Sequence, residues 1–215
     1  MRHQYSLVLA GFVLIAGAVP SGQERQIGLK AGVSVASIAG DAGGDAALPY
    51  DVRTGLTGGA FAVFPMRRRV ALQVEAILTD KGGALPVNDP SIIQGEISER
   101  LRFQYLDLPV LARLTGPRVK SATLYGFAGP TLSVRLSARY QTAMTGAGSY
   151  GFEYDIGQDV RRFDVGLTAG AGADIGPRLV IDARYTRGFT DLYDVAAGVP
   201  LRNRGFLVTA GFRIF

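Results

Sequence analysis

The chain has no cysteine, and its single histidine is His3. The first absence removes disulfides, thiolate nucleophiles and cysteine-ligated metals. The second matters because His3 lies in a segment with the layout of a secretory signal peptide. Arg2 supplies a short positive region, Leu7 to Val19 is almost wholly apolar, and small and turn-forming residues follow from Ala18 to Gly22. That apolar run is about 13 residues, short of the roughly 20 that a membrane-spanning helix needs, and no other stretch is long and apolar enough to be one. Residues 1–22 are therefore expected to be cleaved, leaving 23–215 as one domain with neither His nor Cys. Ser–His and Cys–His nucleophile pairs and ordinary zinc sites would then be missing. No enzyme activity is expected, and no catalytic, cofactor-binding or metal-ligating residue. The apolar run is followed by no lipoprotein cysteine, so no lipid anchor is expected either.

The 215 residues suit one domain with a full-sized core, and a hydrophobic content of 47% argues against disorder. The 29 Gly and 10 Pro show no triplet period, which excludes collagen, and that much glycine favours strands and turns over long helices. The formal net charge is +5, but the cations form no basic stripe with interleaved aromatics, so no nucleic-acid partner is expected.

What is present is alternation of period two. Eight segments carry it: 27–38, 54–64, 70–79, 101–114, 122–140, 160–175, 179–186 and 205–215. In the first, Ile27, Leu29, Ala31, Val33 and Val35 share a face; in the third, Val70, Leu72, Val74, Ala76 and Leu78 oppose Gln73, Glu75 and Thr79. In the fifth, Leu124, Ala128, Leu132, Val134, Leu136 and Ala138 oppose Thr131, Ser133, Arg135, Ser137 and Arg139. In the sixth, Phe163, Val165, Leu167, Ala169, Ala171 and Ala173 oppose Asp164, Thr168 and Asp174. The connections alternate in length, long at 39–53, 83–100, 141–159 and 188–203, short at 65–69, 115–121 and 176–178. Short turns at one end and long loops at the other describe an eight-stranded antiparallel up-and-down transmembrane β-barrel, with both termini on the short-turn, periplasmic side. Pro109 and Pro130 interrupt strands that have no free edge, so bulges are expected there.

Alternation alone does not say which face meets solvent. A soluble periplasmic barrel that binds a small apolar ligand alternates too, with its apolar face inward. Three features favour the membrane reading: a clean apolar face, charges of both signs on the opposite face, and an aromatic chain end. The charges are Glu75, Asp107, Arg113, Arg135, Asp164, Asp182 and Arg184, expected to form an ion-pair network inside an occluded barrel that is not a general porin. Charge is also segregated. The short turns hold Arg67, Arg68, Arg69, Arg118, Lys120 and Arg178 and no acid, which suits contact with anionic headgroups of outer-membrane lipids. The long loops are acidic, and 39–53, 83–100, 141–159 and 188–203 are the candidate surfaces for a protein partner.

Several segments resemble the PorT-like family of small outer-membrane β-barrel domains, akin in architecture to OmpA and OmpX barrels. These are Ile27-Gly28-Leu29-Lys30-Ala31-Gly32-Val33, Leu72 to Leu78 followed by Asp80-Lys81-Gly82, Tyr105 to Leu111, Gly129-Pro130, Phe163 to Gly166, and Leu179 to Tyr185. The resemblance implies the barrel fold and an outer-membrane location, but no single activity. It also implies that Phe212, Ile214 and Phe215 carry the signal read by the barrel-insertion machinery. Gly211-Phe212-Arg213-Ile214-Phe215 holds one residue more than the family's usual ending, which turns Ile214 rather than Phe215 outward. The functions open at this point are a structural or surface-interacting barrel, an accessory barrel of a secretion or transport system, and the soluble binder.

Overall fold

The computed structural model describes residues 25–40, 51–87, 95–146, 150–158, 160–191 and 201–215. They form β1 (Gln26–Gly40), β2 (Asp51–Arg67), β3 (Val70–Val87), β4 (Gly95–Val119), β5 (Ala122–Gly146), β6 (Tyr150–Asp155), β7 (Phe163–Ile175), β8 (Leu179–Gly188) and β9 (Leu201–Arg213). All pairings are antiparallel. β1 pairs with β9 and β4 with β5, so eight strands close into a barrel from which only β6 is left out. The shortest wall strand, β8, has 10 residues, within the 9–11 or so that a tilted strand needs to cross a bilayer.

The side chains follow the pleat. Leu29, Val33, Leu132, Val165, Leu167 and Ile181 point out and are exposed, whereas Lys30, Ser34, Thr131, Asp164, Thr168 and Asp182 point in and are buried. The soluble reading, with the apolar face inside, is overturned by this geometry. An apolar exterior around a polar interior suits lipid outside and paired charge within.

Three expectations need correction. Within the long segments 83–100 and 141–159, residues 83–87, 95–100, 141–146 and 150–155 are strand. The β3–β4 ladder runs on to Val87↔Ile97, and β4–β5 to Gly95↔Gly146, because hydrogen-bonded hairpins satisfy the backbone better than open loops. Second, Pro109 and Pro130 cause no bulge. Pairing lapses between Pro109↔Thr131 and Ala112↔Ala128 but resumes in the same register, so each proline costs a ladder bond without adding a residue. Third, a bulge occurs where none was expected. Tyr105 pairs with Arg135 and Gln104 with Ser137, leaving Leu136 as the extra residue. The bulge reverses the facing above it, so Ala138 is fully buried inside the barrel and Arg139 is exposed.

Candidate functional site: the barrel interior

The interior is a stack of ion-paired groups held against aromatic rings. At mid-height Lys30 Nζ donates to Glu75 Oε1 (2.8 Å) and Asp182 Oδ2 (2.9 Å). Arg184 donates through Nη1 to Glu75 Oε2 (2.5 Å) and through Nη2 to Asp182 Oδ1 (2.8 Å). Two cations and two carboxylates balance, and all four side chains are nearly inaccessible. Lys30 Nζ lies 5.0 Å from the Phe61 ring centroid and the Arg184 guanidinium 5.0 Å from that of Phe127, so each cation also gains the attraction of a ring face. Gln73 Nε2 donates a further bond to Glu75. Burial of this much charge is tolerable because every member is paired and hydrogen-bonded.

Toward the long-loop end Lys81 Nζ pairs with Asp107 Oδ1 (2.8 Å) and sits 4.7 Å from the Tyr105 ring centroid, while Ser133 Oγ donates to the same carboxylate oxygen. Hydroxyl contacts link Thr131 to Thr168 (2.7 Å) and Thr168 to Thr186 (3.1 Å) across β5, β7 and β8. Beside them is a cavity of about 10 Å³, lined in part by Thr79, Lys81, Ser133, Asp164 and Asn203 and large enough for roughly one water. Above it Leu101, Phe103, Tyr105, Ala138 and Val160 form an apolar cluster, with Tyr140, Ile156 and Leu201 packed against it.

Toward the short-turn end Arg113 donates to Gln73 (3.1 Å) and Asp174 and stacks 3.6 Å from the Tyr125 ring centroid; Arg213 also pairs with Asp174. Glycine makes this stacking possible. A Cβ at Gly172 would lie 2.5 Å from the Tyr125 hydroxyl, and one at Gly170 would lie 2.7 Å from the Phe127 ring. Both rings therefore lie over bare backbone of β7.

Of the charged residues singled out from the sequence, Glu75, Asp182 and Arg184 come together. Asp107 and Arg113 lie in separate clusters above and below them. Arg135 and Asp164 are not ion-paired among the described residues. Arg135 Nη2 donates to the carbonyls of Gly157 (2.6 Å) and Val160 (2.9 Å), holding the chain after β6 over the mouth. Asp164 accepts from the Thr190 N–H (3.2 Å) and Asn203 Nδ2 (3.4 Å). Lys30, Lys81, Asp174 and Arg213 are the members that the sequence list omitted. Lys30 lies between Leu29 and Ala31, and Arg213 between Phe212 and Ile214, so strict alternation points both inward. Lys81 lay past the expected end of its strand. At the chain end, Ile214 N donates to the Ile27 carbonyl (2.8 Å), and Phe212, Ile214 and Phe215 are all exposed.

Outside the wall, β6 pairs with the far end of β5 from Arg139↔Asp155 to Met144↔Tyr150, and among the described residues its other edge has no strand partner. Phe152 and Tyr154 stack with ring centroids 6.5 Å apart and are exposed. Glu153 accepts from Gln141 (2.9 Å) and Arg139 (2.8 Å). The Gln141 bond, helped by the charge of Arg139, holds its carboxyl below the ordinary range against the opposing effect of desolvation. Among the described residues no group of three or more His, Cys, Asp or Glu could hold a metal ion.

Residues 20–194 match the family model for the outer membrane protein beta-barrel domain. No curated protein matches the chain by sequence. Among solved structures, similarity extends to the attachment invasion locus protein Ail of Yersinia pestis, at 11% identity over 89% of this chain and 100% of that one, with a TM-score of 0.41. It extends also to Neisserial surface protein A, at 12% identity, 88% and 99% coverage and a TM-score of 0.44. The outer membrane protein OprG of Pseudomonas aeruginosa is similar at 10% identity, 91% and 99% coverage and a TM-score of 0.45.

Proposed function

Because this chain belongs to the outer membrane protein β-barrel domain family, we propose that it is a non-enzymatic barrel with an occluded interior, acting through its loop-end surface. The observation that carries this reading is the filled lumen. The charge clusters, the threonine contacts and the apolar group around Phe103 occupy the interior at successive heights, and the cavity between them is about 10 Å³. A general porin needs a continuous aqueous path, and eight strands enclose too little space for one once such side chains fill it. In this reading the short turns and both termini face the periplasm. Arg67, Arg68, Arg69, Arg118, Lys120 and Arg178 meet anionic headgroups there. Phe212, Ile214 and Phe215 serve the insertion machinery. Purified protein in planar bilayers should give no large, stable single-channel conductance; an open state of that kind would overturn the occlusion.

The exposed aromatic pair on β6, next to an edge that has no strand partner among the described residues, favours a protein partner over a purely structural role. A stoichiometric partner co-purifying with wild type, and lost when Phe152 and Tyr154 are replaced by Ser, would support a surface-interaction or accessory role. A partner retained by that variant would move the contact to another loop.

A further inference from the structure

At the short-turn end the lumen widens into a cavity of about 190 Å³ under the β2–β3 turn. Four arginines and one carboxylate line it: Arg67, Arg68, Arg69, Arg113 and Asp174. Their arrangement is lopsided. Arg113 is buried, stacked on Tyr125 and fixed by Gln73 and Asp174. Asp174 in turn is shared between Arg113 and Arg213, so its charge is already more than neutralised inside the wall. Nothing is left over for the turn. Among the described residues the side chains of Arg67, Arg68 and Arg69 have no carboxylate partner, and three adjacent guanidiniums repel one another.

Such a site selects for a phosphate oxyanion. Guanidinium forks match the oxygens of phosphate in a way a point charge does not. The space of about 190 Å³ exceeds that of a bare ion, since roughly 10–15 Å³ on the same scale is enough for one water. A polar group stands ready for the remainder: Gln26 lines the cavity, and its buried Oε1 has no hydrogen-bond partner. An acceptor in that position suits a hydroxyl. We infer that the short-turn mouth is a binding site for a phosphate ester carrying a small hydroxylated group, of glycerol-phosphate size. The site deepens the reading of the basic turns as headgroup contacts and rests on some of the same cations. The ester arrives either free in solution or as the headgroup of an anionic lipid.

The test uses the full chain in nanodiscs, with glycerol 3-phosphate and inorganic phosphate titrated by calorimetry in pure phosphatidylcholine discs, and with phosphatidylglycerol adducts counted by native mass spectrometry in discs seeded with a small fraction of that lipid. Two variants are compared, both checked for heat-modifiable gel mobility: R67Q/R68Q/R69Q at the site, and R118Q/K120Q/R178Q on the other turns. Saturable one-to-one binding of glycerol phosphate, weakened about tenfold or more only in the first variant, is the expected result. If phosphatidylglycerol binds with the same dependence and glycerol phosphate displaces it, the lipid is the source; if only the soluble ester binds, the source is free. Equal weakening in both variants would overturn the site while leaving the general attraction of the basic turns intact. No binding of ester or lipid by wild type would overturn it as well.

Discussion

Arg184 and Glu75 belong to β8 and β3, which have three wall strands between them in either direction, yet their side chains meet across the lumen at 2.5 Å. The pair therefore braces the barrel across its full width. Lys30 on β1 and Asp182 on β8 complete the brace, so a contact between residues 109 apart in sequence couples opposite walls.

Breaking the brace from one side should cost more than removing it. Glu75→Ala leaves Arg184 and Lys30 with an excess of buried positive charge, an effect of about 3–5 kcal/mol in comparable buried pairs. The double replacement Glu75→Leu with Arg184→Met removes both partners, leaves Lys30 matched to Asp182, and should recover much of that loss. Reversible urea unfolding of the refolded protein in phospholipid measures both. Equal losses in the single and double variants would mean that packing, not charge, holds this layer.

The ring of Tyr125 needs the bare backbone of Gly172. Gly172→Ala sets a methyl against the ring at 2.5 Å and against the Ile181 carbonyl at 2.5 Å. The ring must then leave its place over Arg113, with an overpacking cost of about 1–3 kcal/mol. A lower unfolding midpoint and a changed near-ultraviolet tyrosine signal are expected; an unchanged signal would show that the wall yields instead.

Leu136 is an added residue, so deleting it should be tolerated. The deletion leaves Gln104 opposite Ser137 and Ala138 inside, with the ladder now regular. Deleting Ala128, eight residues before Leu136, reverses the facing of 129–135 between the deletion and the bulge, turning Thr131 and Ser133 outward, and should abolish folding. Heat-modifiable gel mobility separates the two: retained for the first, lost for the second. Loss in both would assign the bulge a role in closure.

Glu153 ties β6 to β5, and its carboxyl is held below the ordinary range. A depressed folded pKa means that the contribution to hairpin stability is present above the unfolded value and is lost as pH falls through the folded one. Amide exchange over 150–155, corrected for intrinsic rate, should therefore quicken at acid pH in wild type and show no such step in Glu153→Gln. Because the pair is solvent-exposed, salt should weaken the effect. A step of equal size in the variant would assign it to another group.

The sequence by itself determined the eight wall strands and which residues of each share a face, because these follow from a period of two read within one segment. That Glu75, Asp107, Asp182 and Arg184 lie on the face opposite the aliphatic side chains is of this kind; that their face is the inner one came from the closed wall. Partners were a different matter. Whether Arg184 meets Glu75 or Asp164 depends on how far each strand is staggered against the next around the closed wall, and that offset accumulates over residues far apart in the chain. Only the tertiary structure decided it. The same holds for Leu136, where one unpaired residue reversed the facing of Ala138 and Arg139, and for Arg135, drawn to backbone carbonyls that no periodicity announces. Local alternation is set by the geometry of a single strand; the ion pairs, the bulge and the cavity under the β2–β3 turn are set by closure, which no single strand contains.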